Sequence, residues 1–309
     1  MSPDPDSHPP TWWMLRPGLH VTRRDGTTLQ VGLDPRCRAL LPDLPPVHRL
    51  LGALHDGAQP ELGDDTAREA WSRLRAAGLV VDRDQLTADL AGLGEARPRS
   101  AVTAAYAVHG ADAGRRLRER AAARVAVRVL GDHPRASDWE GTVGVLLRNS
   151  GVQMAPRGND ADATAVLIVA FTEPDREVLD RSLATGEPHL LLSTVEGRVR
   201  LGPFVVPGFT ACLRCVDAHL DEVDPRRSVI VHQYAEQGWP VDVPPPDDPA
   251  LMTLALAWAT RDLVSYLEGD RPSLWSATVR IEPDLALTRE EWTRHPHCGC
   301  CWGDLLDVV

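Results

Sequence analysis

Hydrophobic and polar positions change period several times along the chain, and each change predicts an element. Leu19-His20-Val21-Thr22-Arg23 and Thr28-Leu29-Gln30-Val31-Gly32-Leu33 are strand-like runs. Arg24-Asp25-Gly26-Thr27 separates them, and Asp-Gly between two β-rich runs predicts a hairpin because glycine accepts positive φ in the turn. The spacing then becomes helical. Val47, Leu50, Leu51 and Leu54 share one face behind Pro45-Pro46, and Asp56-Gly57 ends that run. Ala67, Ala70, Trp71, Leu74 and Ala77 form a second apolar stripe, with Asp65 as its expected cap and Gly78 as its end. Leu79-Val80-Val81 returns to extended chain. Hairpin, helix, helix and short strand predict an α+β module of winged-helix type over residues 12–95, after a disordered tail at residues 1–11.

Residues 96–123 are rich in Gly, Ala and Arg and predict a linker and connecting helix. The pattern changes again at Arg124. Val125 to Leu130 reads as a buried strand running into Gly131. Asp138 to Asn149 is the expected helix behind it. Ala165-Val166-Leu167-Ile168-Val169-Ala170 is an unbroken apolar run of the kind found in parallel strands covered on both faces. A helix from Pro174 to Ala184 and a strand from His189 to Ser193 follow, then an apolar helix from Leu251 to Leu267 and a late strand from Ser276 to Glu282. Strands alternating with helices predict a doubly wound, Rossmann-like α/β domain over residues 124–309.

Composition narrows the function. A formal net charge of −11 without a long Lys/Arg block argues against nucleic acid as partner. No apolar run reaches the length of about 20 residues that a bilayer demands, and no segment reads as a signal peptide, so the expectation is a cytoplasmic protein without membrane contact. In that reducing compartment six cysteines point to metal binding or catalysis rather than disulfides.

Their spacing is the sharpest chemical signal. Cys212-Leu213-Arg214-Cys215 is one C-x-x-C, and Cys298-Gly299-Cys300-Cys301 contains another with a C-x-C inside it. Two such pairs supply four thiolates to a tetrahedral Zn²⁺. Cys212, Cys215 and Cys298 are three of the expected ligands, and Cys300 and Cys301 are both candidates for the fourth. A redox pair is the rival reading, but one C-x-x-C would leave the other cluster unexplained. A closed four-cysteine site has no vacant position for water and staples the fold. His295 and His297 flank the second pair as alternate ligands or supporting groups. Cys37 stands alone as a core residue.

Val129-Leu130-Gly131-Asp132-His133-Pro134 occupies the position where a nucleotide-binding fold carries G-x-G-x-x-G. Asp132 repels phosphate and Pro134 removes an N–H, so the site reads as degenerate, with no ATP expected. Gly202-Pro203-Phe204-Val205-Val206-Pro207-Gly208 reads either as a rigid loop or as a partner-contacting surface. No nucleophile–base set stands out, and no catalytic residue is assigned.

The hairpin-and-helix module resembles the PqqD-like peptide-recognition domains of ribosomal peptide biosynthesis. The stretch from Gly202 to Cys215, together with His295-Pro296-His297-Cys298-Gly299-Cys300, is similar to the ThiF-like subunits of azoline-forming cyclodehydratases, relatives of the ubiquitin-activating enzymes. This resemblance implies a chain that binds the leader of a precursor peptide and presents it to a separate YcaO-type, ATP-dependent cyclodehydratase, which forms azolines from Cys, Ser or Thr. It implies a non-catalytic subunit and, by analogy, a homodimer. The extra cysteine departs from the pattern. For leader capture, the expected edge strand is Thr28, Leu29, Gln30, Val31 and Gly32, with Arg68, Trp71, Arg73 and Arg75 on the adjoining helix; Trp71 equally fits a core position.

Two other readings compete. An active ThiF-type adenylyltransferase would activate the carboxyl terminus of a peptide or carrier protein, and would require a phosphate site. A winged-helix transcription factor with a zinc-bearing effector domain is disfavoured by the acidic charge.

Overall fold

The structure is a computed structural model that describes residues 12–92, 98–156, 158, 160–237, 243 and 245–300. The expected tail at residues 1–11 and Cys301 lie outside the described residues. The chain divides into two compact units, Met1–Arg118 and Glu119–Val309.

The first unit begins with β1 (Trp13–Leu15), β2 (Val21–Arg23), β3 (Thr28–Val31) and β4 (Ala39–Pro42). It continues with α1 (Pro45–Asp56), α2 (Asp65–Ala76), β5 (Val80–Asp82), α3 (Arg83–Ala91), α4 (Arg99–His109) and the greater part of α5 (Ala113–Ala122). β2, β3 and β4 form an antiparallel sheet with β3 in the middle, and β1 pairs with β5. Leu29, Val31 and Leu41 meet Val47, Leu50, Leu54 and Leu74 in one core. Asp64, not Asp65, caps α2. Its carboxylate accepts from Thr66 N at 2.8 Å and Ala67 N at 3.4 Å, the reach available only from the residue before the first helical position. Gly57 and Gly78 take positive φ at the ends of the two helical stripes. Residues expected as linker are largely helical. Val102, Ala105 and Tyr106 of α4 pack with Val81 and Leu86, and Tyr106 donates to Asp89 at 2.7 Å.

The second unit holds β6 (Arg124–Leu130), α6 (Ala136–Ser150), β7 (Gln153–Met154), β8 (Ala165–Ala170), α7 (Arg176–Ala184) and β9 (His189–Val195). β10 (Arg198–Val205), α8 (Leu213–Asp221), α9 (Arg227–Glu236), α10 (Pro249–Leu267), β11 (Ala277–Ile281) and β12 (Leu287–Glu291) complete it. The seven-stranded sheet runs β12-β11-β10-β9-β8-β6-β7. β7, β6, β8 and β9 are parallel, and the last three strands add antiparallel. Alternate residues of β8 point to opposite faces. Leu167 and Val169 join Trp139, Val143 and Leu147 of α6 and the apolar face of α10, while Val166 and Ile168 join Leu179, Leu213 and Val216 of α7 and α8. Three layers result. Gly202 lies inside β10 rather than in a loop, because β11 approaches so closely that a Cβ would stand 2.2 Å from Ala277 O. Among the described residues no helix is long and apolar enough to cross a membrane.

A long-range ion pair is buried in this unit. Arg120 Nε donates to Glu268 Oε1 at 2.6 Å, with both side chains almost fully shielded, and the exposed Arg261 reaches the same carboxylate at 3.5 Å. Arg120→Met strands a buried charge and is expected to cost about 3 kcal/mol or more in urea unfolding, whereas Arg120→Met with Glu268→Met recovers most of that loss.

Candidate functional site

The sequence brings four sulfurs to one point by two local devices. Pro207-Gly208 turns the chain after β10, with Gly208 at φ +82°, and Thr210 Oγ1 ties the turn by accepting from Val206 N at 2.8 Å. Cys212 then sits at the N-cap of α8 and Cys215 in its first turn. On the other side Gly299, at φ +81°, folds Cys298 back toward Cys300, and Cys300 N donates to Cys298 Sγ at 3.3 Å. Sγ of Cys212 lies 3.7 Å from Cys215 and 3.9 Å from Cys298, and Cys215 lies 3.1 Å from Cys298 and 3.4 Å from Cys300. Cys298 and Cys300 are 2.7 Å apart.

The sulfurs of a tetrahedral zinc site lie roughly 3.8 Å apart, given Zn–S bonds of about 2.3 Å. The four converge on one centre, some pairs more tightly than that, and the all-sulfur donor set fits a structural Zn²⁺. Hydrogen bonds among the thiols set their acidity. Donation from Cys212, then from Cys300, holds Cys215 as a thiolate well below the usual thiol range. Donating to Cys215 pushes Cys212 up to about 12. Cys298 is raised chiefly by burial, and Cys300 by hydrogen bonding to Cys212 and Cys215. Cys37 is half-buried in the first unit, where Arg16 Nη2 approaches its sulfur at 3.1 Å.

His295 stands outside the four-sulfur group. Its Nδ1 accepts from His297 N at 3.2 Å, so Nε2 carries the proton and donates to Glu222 Oε1 at 3.1 Å. His219 lies edge-on to it at 4.7 Å between ring centroids. His295 and Glu222 thus brace the loop that carries Cys298.

The point where strand order reverses lies between β6 and β8, and open α/β sheets bind ligands at the carboxyl ends of such strands. Gly131 takes φ +79° there, with nothing within 4 Å of the Cβ position. Behind it the space is packed. His133 is buried and stacks on Phe171 with centroids 3.6 Å apart. Burial lowers the His133 pKa and keeps the ring neutral. Arg135, at the N-cap of α6, lies over Trp139 at 4.0 Å and reaches Asp247 at 3.3 Å.

Glu173 follows β8. Burial opposes its ionisation, but Arg200 and Arg176 outweigh that and hold the carboxyl below its usual range. Arg176 continues to Asp217 at 2.8 Å.

In the first unit the residues expected to bind peptide separate. β3 pairs on both sides, so Thr28 to Val31 offer no free edge; β4 lies at the sheet's border instead. Leu29 and Val31 are core residues, Gln30 Nε2 donates to Gly32 O at 2.8 Å, and a Cβ on Gly32 would meet Cys37 O at 2.7 Å. Arg68 is held by Asp65 and by Leu62 O. Trp71 packs edge-on against Trp13, and Arg75 lies within 6 Å of both rings, at 5.4 and 5.8 Å. A cavity of about 390 Å³ does open between β4 and α2, lined by Thr28, Leu40, Pro42, Thr66, Glu69 and Arg73 among others. Of the expected residues Thr28 and Arg73 reach it. The missed β4 is a run of four residues, Ala39-Leu40-Leu41-Pro42, whose alternation is too short to register.

No family model matches the sequence, and no curated protein does. Solved structures do match. The heterocyclase TruD aligns over 94% of this chain and 43% of its own, at 20% identity and a TM-score of 0.68. A heterocyclase in complex with substrate and cofactor aligns over 94% and 39%, at 17% identity and 0.68. Escherichia coli MccB with ATP aligns over 94% and 99%, at 13% identity and 0.56.

The chain has a ThiF-like Rossmann fold. It spans less than half the length of the heterocyclases it matches and nearly the whole of MccB. Two expectations are thereby corrected. The reading as a non-catalytic subunit that presents a leader to a separate enzyme is overturned, because the matching structures are themselves enzymes: heterocyclases, and the microcin C7 biosynthetic enzyme MccB. The expectation of no ATP falls with it, since this fold is solved with ATP and with AMPCPP bound. The Gly131 turn was read from the absence of further glycines and from Pro134, which removes a single N–H, whereas Gly131, Asp132 and His133 keep theirs.

Elemental analysis of the purified chain should find one zinc per chain. Cys300→Ser is expected to lower that content and the thermal midpoint, and Cys301→Ser to leave both unchanged. Because metal binding requires thiolates, zinc is expected to be lost as pH falls and protons compete for sulfur.

Proposed function

We propose that the chain is an ATP-dependent enzyme that activates the carboxyl terminus of a peptide or carrier protein by adenylyl transfer. The observation that carries this reading is the open Gly131 turn at the carboxyl end of β6, beside the point where strand order reverses and next to Arg135 at the start of α6, in a fold shared along nearly its whole length with MccB. MccB has been solved with ATP and in complex with N-formylated MccA. In the proposed reaction a carboxylate oxygen attacks the α-phosphorus of ATP. The bond from that phosphorus to the bridging oxygen breaks, pyrophosphate leaves with the electron pair, and an acyl adenylate remains.

The chain's own groups fit such a step in a particular way. Asp132 and Pro134 weaken the backbone as a phosphate cradle, so cationic side chains supply the counter-charge. Arg135 stands where the dipole of α6 also favours an anion. Asp247 holds the guanidinium against Trp139 and can be displaced by a phosphate oxygen. The first unit, read as a winged-helix-type recognition module, would hold an extended peptide against β4 and α2, with main-chain hydrogen bonds at the sheet's border. The four-cysteine site has a structural role in this scheme and takes no part in the reaction.

Titration of the full chain with ATP·Mg²⁺, followed by carboxyl-dependent ATP–pyrophosphate exchange against a peptide library with free C-termini, tests the proposal. Binding between about 1 μM and 1 mM is expected, with exchange lost on C-terminal amidation. Arg135→Ala should weaken ATP binding about tenfold or more, the scale of a charged hydrogen bond. A chain that neither binds ATP·Mg²⁺ nor exchanges pyrophosphate refutes the reading.

A further inference from the structure

A second cavity, of about 460 Å³, opens at the carboxyl end of β9. Its walls come from Glu173 after β8, from the β9–β10 turn with Arg198 and Arg200, from Arg227 at the start of α9, and from Arg280 and Glu282 at the end of β11. Charged side chains dominate it, and most are paired. Arg200 grips Glu173 with both terminal nitrogens at 2.9 Å. Arg198 meets Glu282 at 2.6 Å, and Arg280 meets the same carboxylate at 3.1 Å.

Two donors are left over. Arg200 Nε and Arg227 Nε are both buried and have no acceptor. Arg227 differs from the other lining arginines in having no carboxylate partner among the described residues. A guanidinium that lines a cavity without a carboxylate partner calls for an acceptor with negative charge, and Arg227 is such a group. Tyr234, two turns along α9 from Arg227, is also half-buried; burial, then Glu196 and Glu173, raises its pKa, so its hydroxyl keeps its proton.

We propose that this cavity is an oxyanion-binding subsite in which Arg227 holds a carboxylate or phosphate group. The subsite rests on the reading that the chain activates a carboxyl group with ATP, and it names a residue that would hold one of the two anionic reactants. Its position fits, since the cavity shares Glu173 with the end of β8, beside the point where strand order reverses.

Calorimetric titration of the full chain with pyrophosphate, and separately with N-acetylglycylglycine against its C-terminal amide, tests the subsite. At least one oxyanion probe is expected to bind, with Arg227→Ala weakening it tenfold or more at an unchanged thermal midpoint and Arg227→Lys weakening it less. Pyrophosphate binding alone assigns the subsite to a phosphate group. Binding of the free acid without its amide assigns it to the substrate carboxylate. Absence of binding by either oxyanion, or an affinity that Arg227→Ala and Arg227→Glu both leave unchanged, overturns the proposal. Pyrophosphate exchange is scored separately. Exchange with no Arg227-dependent binding keeps the activity and removes the subsite, and Arg227-dependent binding without exchange does the reverse.

Discussion

Repulsion among four sulfurs confined to one small volume is the constraint on which the second unit turns. At an effective dielectric of about 20, two thiolates roughly 3.8 Å apart repel by about 4 kcal/mol. Four of them cannot all ionise unless a cation sits between them. The hydrogen bonding agrees, with Cys215 ionised and its neighbours kept protonated to donate to it. A divalent ion converts this repulsion into attraction. It also joins Cys212 to Cys298 across 86 residues, closing a loop that contains α8, α9, α10, β11 and β12. A closure of that length removes much chain entropy from the unfolded state. β12 needs such help, since all five of its residues are exposed and none can anchor it by burial.

The same unit shows how one chain path can be kept while the residues at its point of strand reversal change. The chain path is the Rossmann one, with parallel β7, β6, β8 and β9 and a reversal of order between β6 and β8. A glycine loop would let phosphates approach the backbone at that point. Here His133 and Phe171 fill the space behind Gly131, and His133 Nδ1 accepts from Arg135 N, which fixes the turn leading into α6. The N–H groups of Arg135 and Ala136 are spent on the turn itself. A guanidinium beside the turn, as Arg135 supplies, adds full charge and a fixed fork of donors for an anion.

What was legible in the sequence was whatever local physics decides alone. The unbroken run at Ala165–Ala170 could only be a covered strand, and all six residues are buried. The two C-x-x-C spacings brought three ligands together, and the structure places Cys300 with them. The failures have physical causes. β12 reads Leu-Thr-Arg-Glu-Glu and has no apolar face, because only its pairing with β11 makes it a strand. α9 has a single buried residue, Val231, so no periodicity marks it. Thr28 to Val31 were recognised as a strand but mistaken for an edge, since the partner β4 is too short to show a period of its own. The arginine cavity was invisible for another reason. Arg198, Arg200, Arg227 and Arg280 are scattered over more than eighty positions, and only the sheet order gathers them.

That gathering also limits what the cavity can accept. Four arginines and three carboxylates, Glu173, Glu196 and Glu282, line it, so its formal charge is a single positive one. Glu173 stays ionised under its two arginines, and its pairing consumes the terminal nitrogens of Arg200, leaving only Nε. A polyphosphate brings several negative charges and would meet Glu173 and Glu282 as repulsive walls. A carboxylate brings one charge and two oxygens, which matches the one guanidinium without a carboxylate partner, that of Arg227. Under the proposed adenylyl transfer, charge balance thus favours the carboxyl reactant for this cavity and leaves the phosphates to the Gly131 turn, beside Arg135 and the amino end of α6.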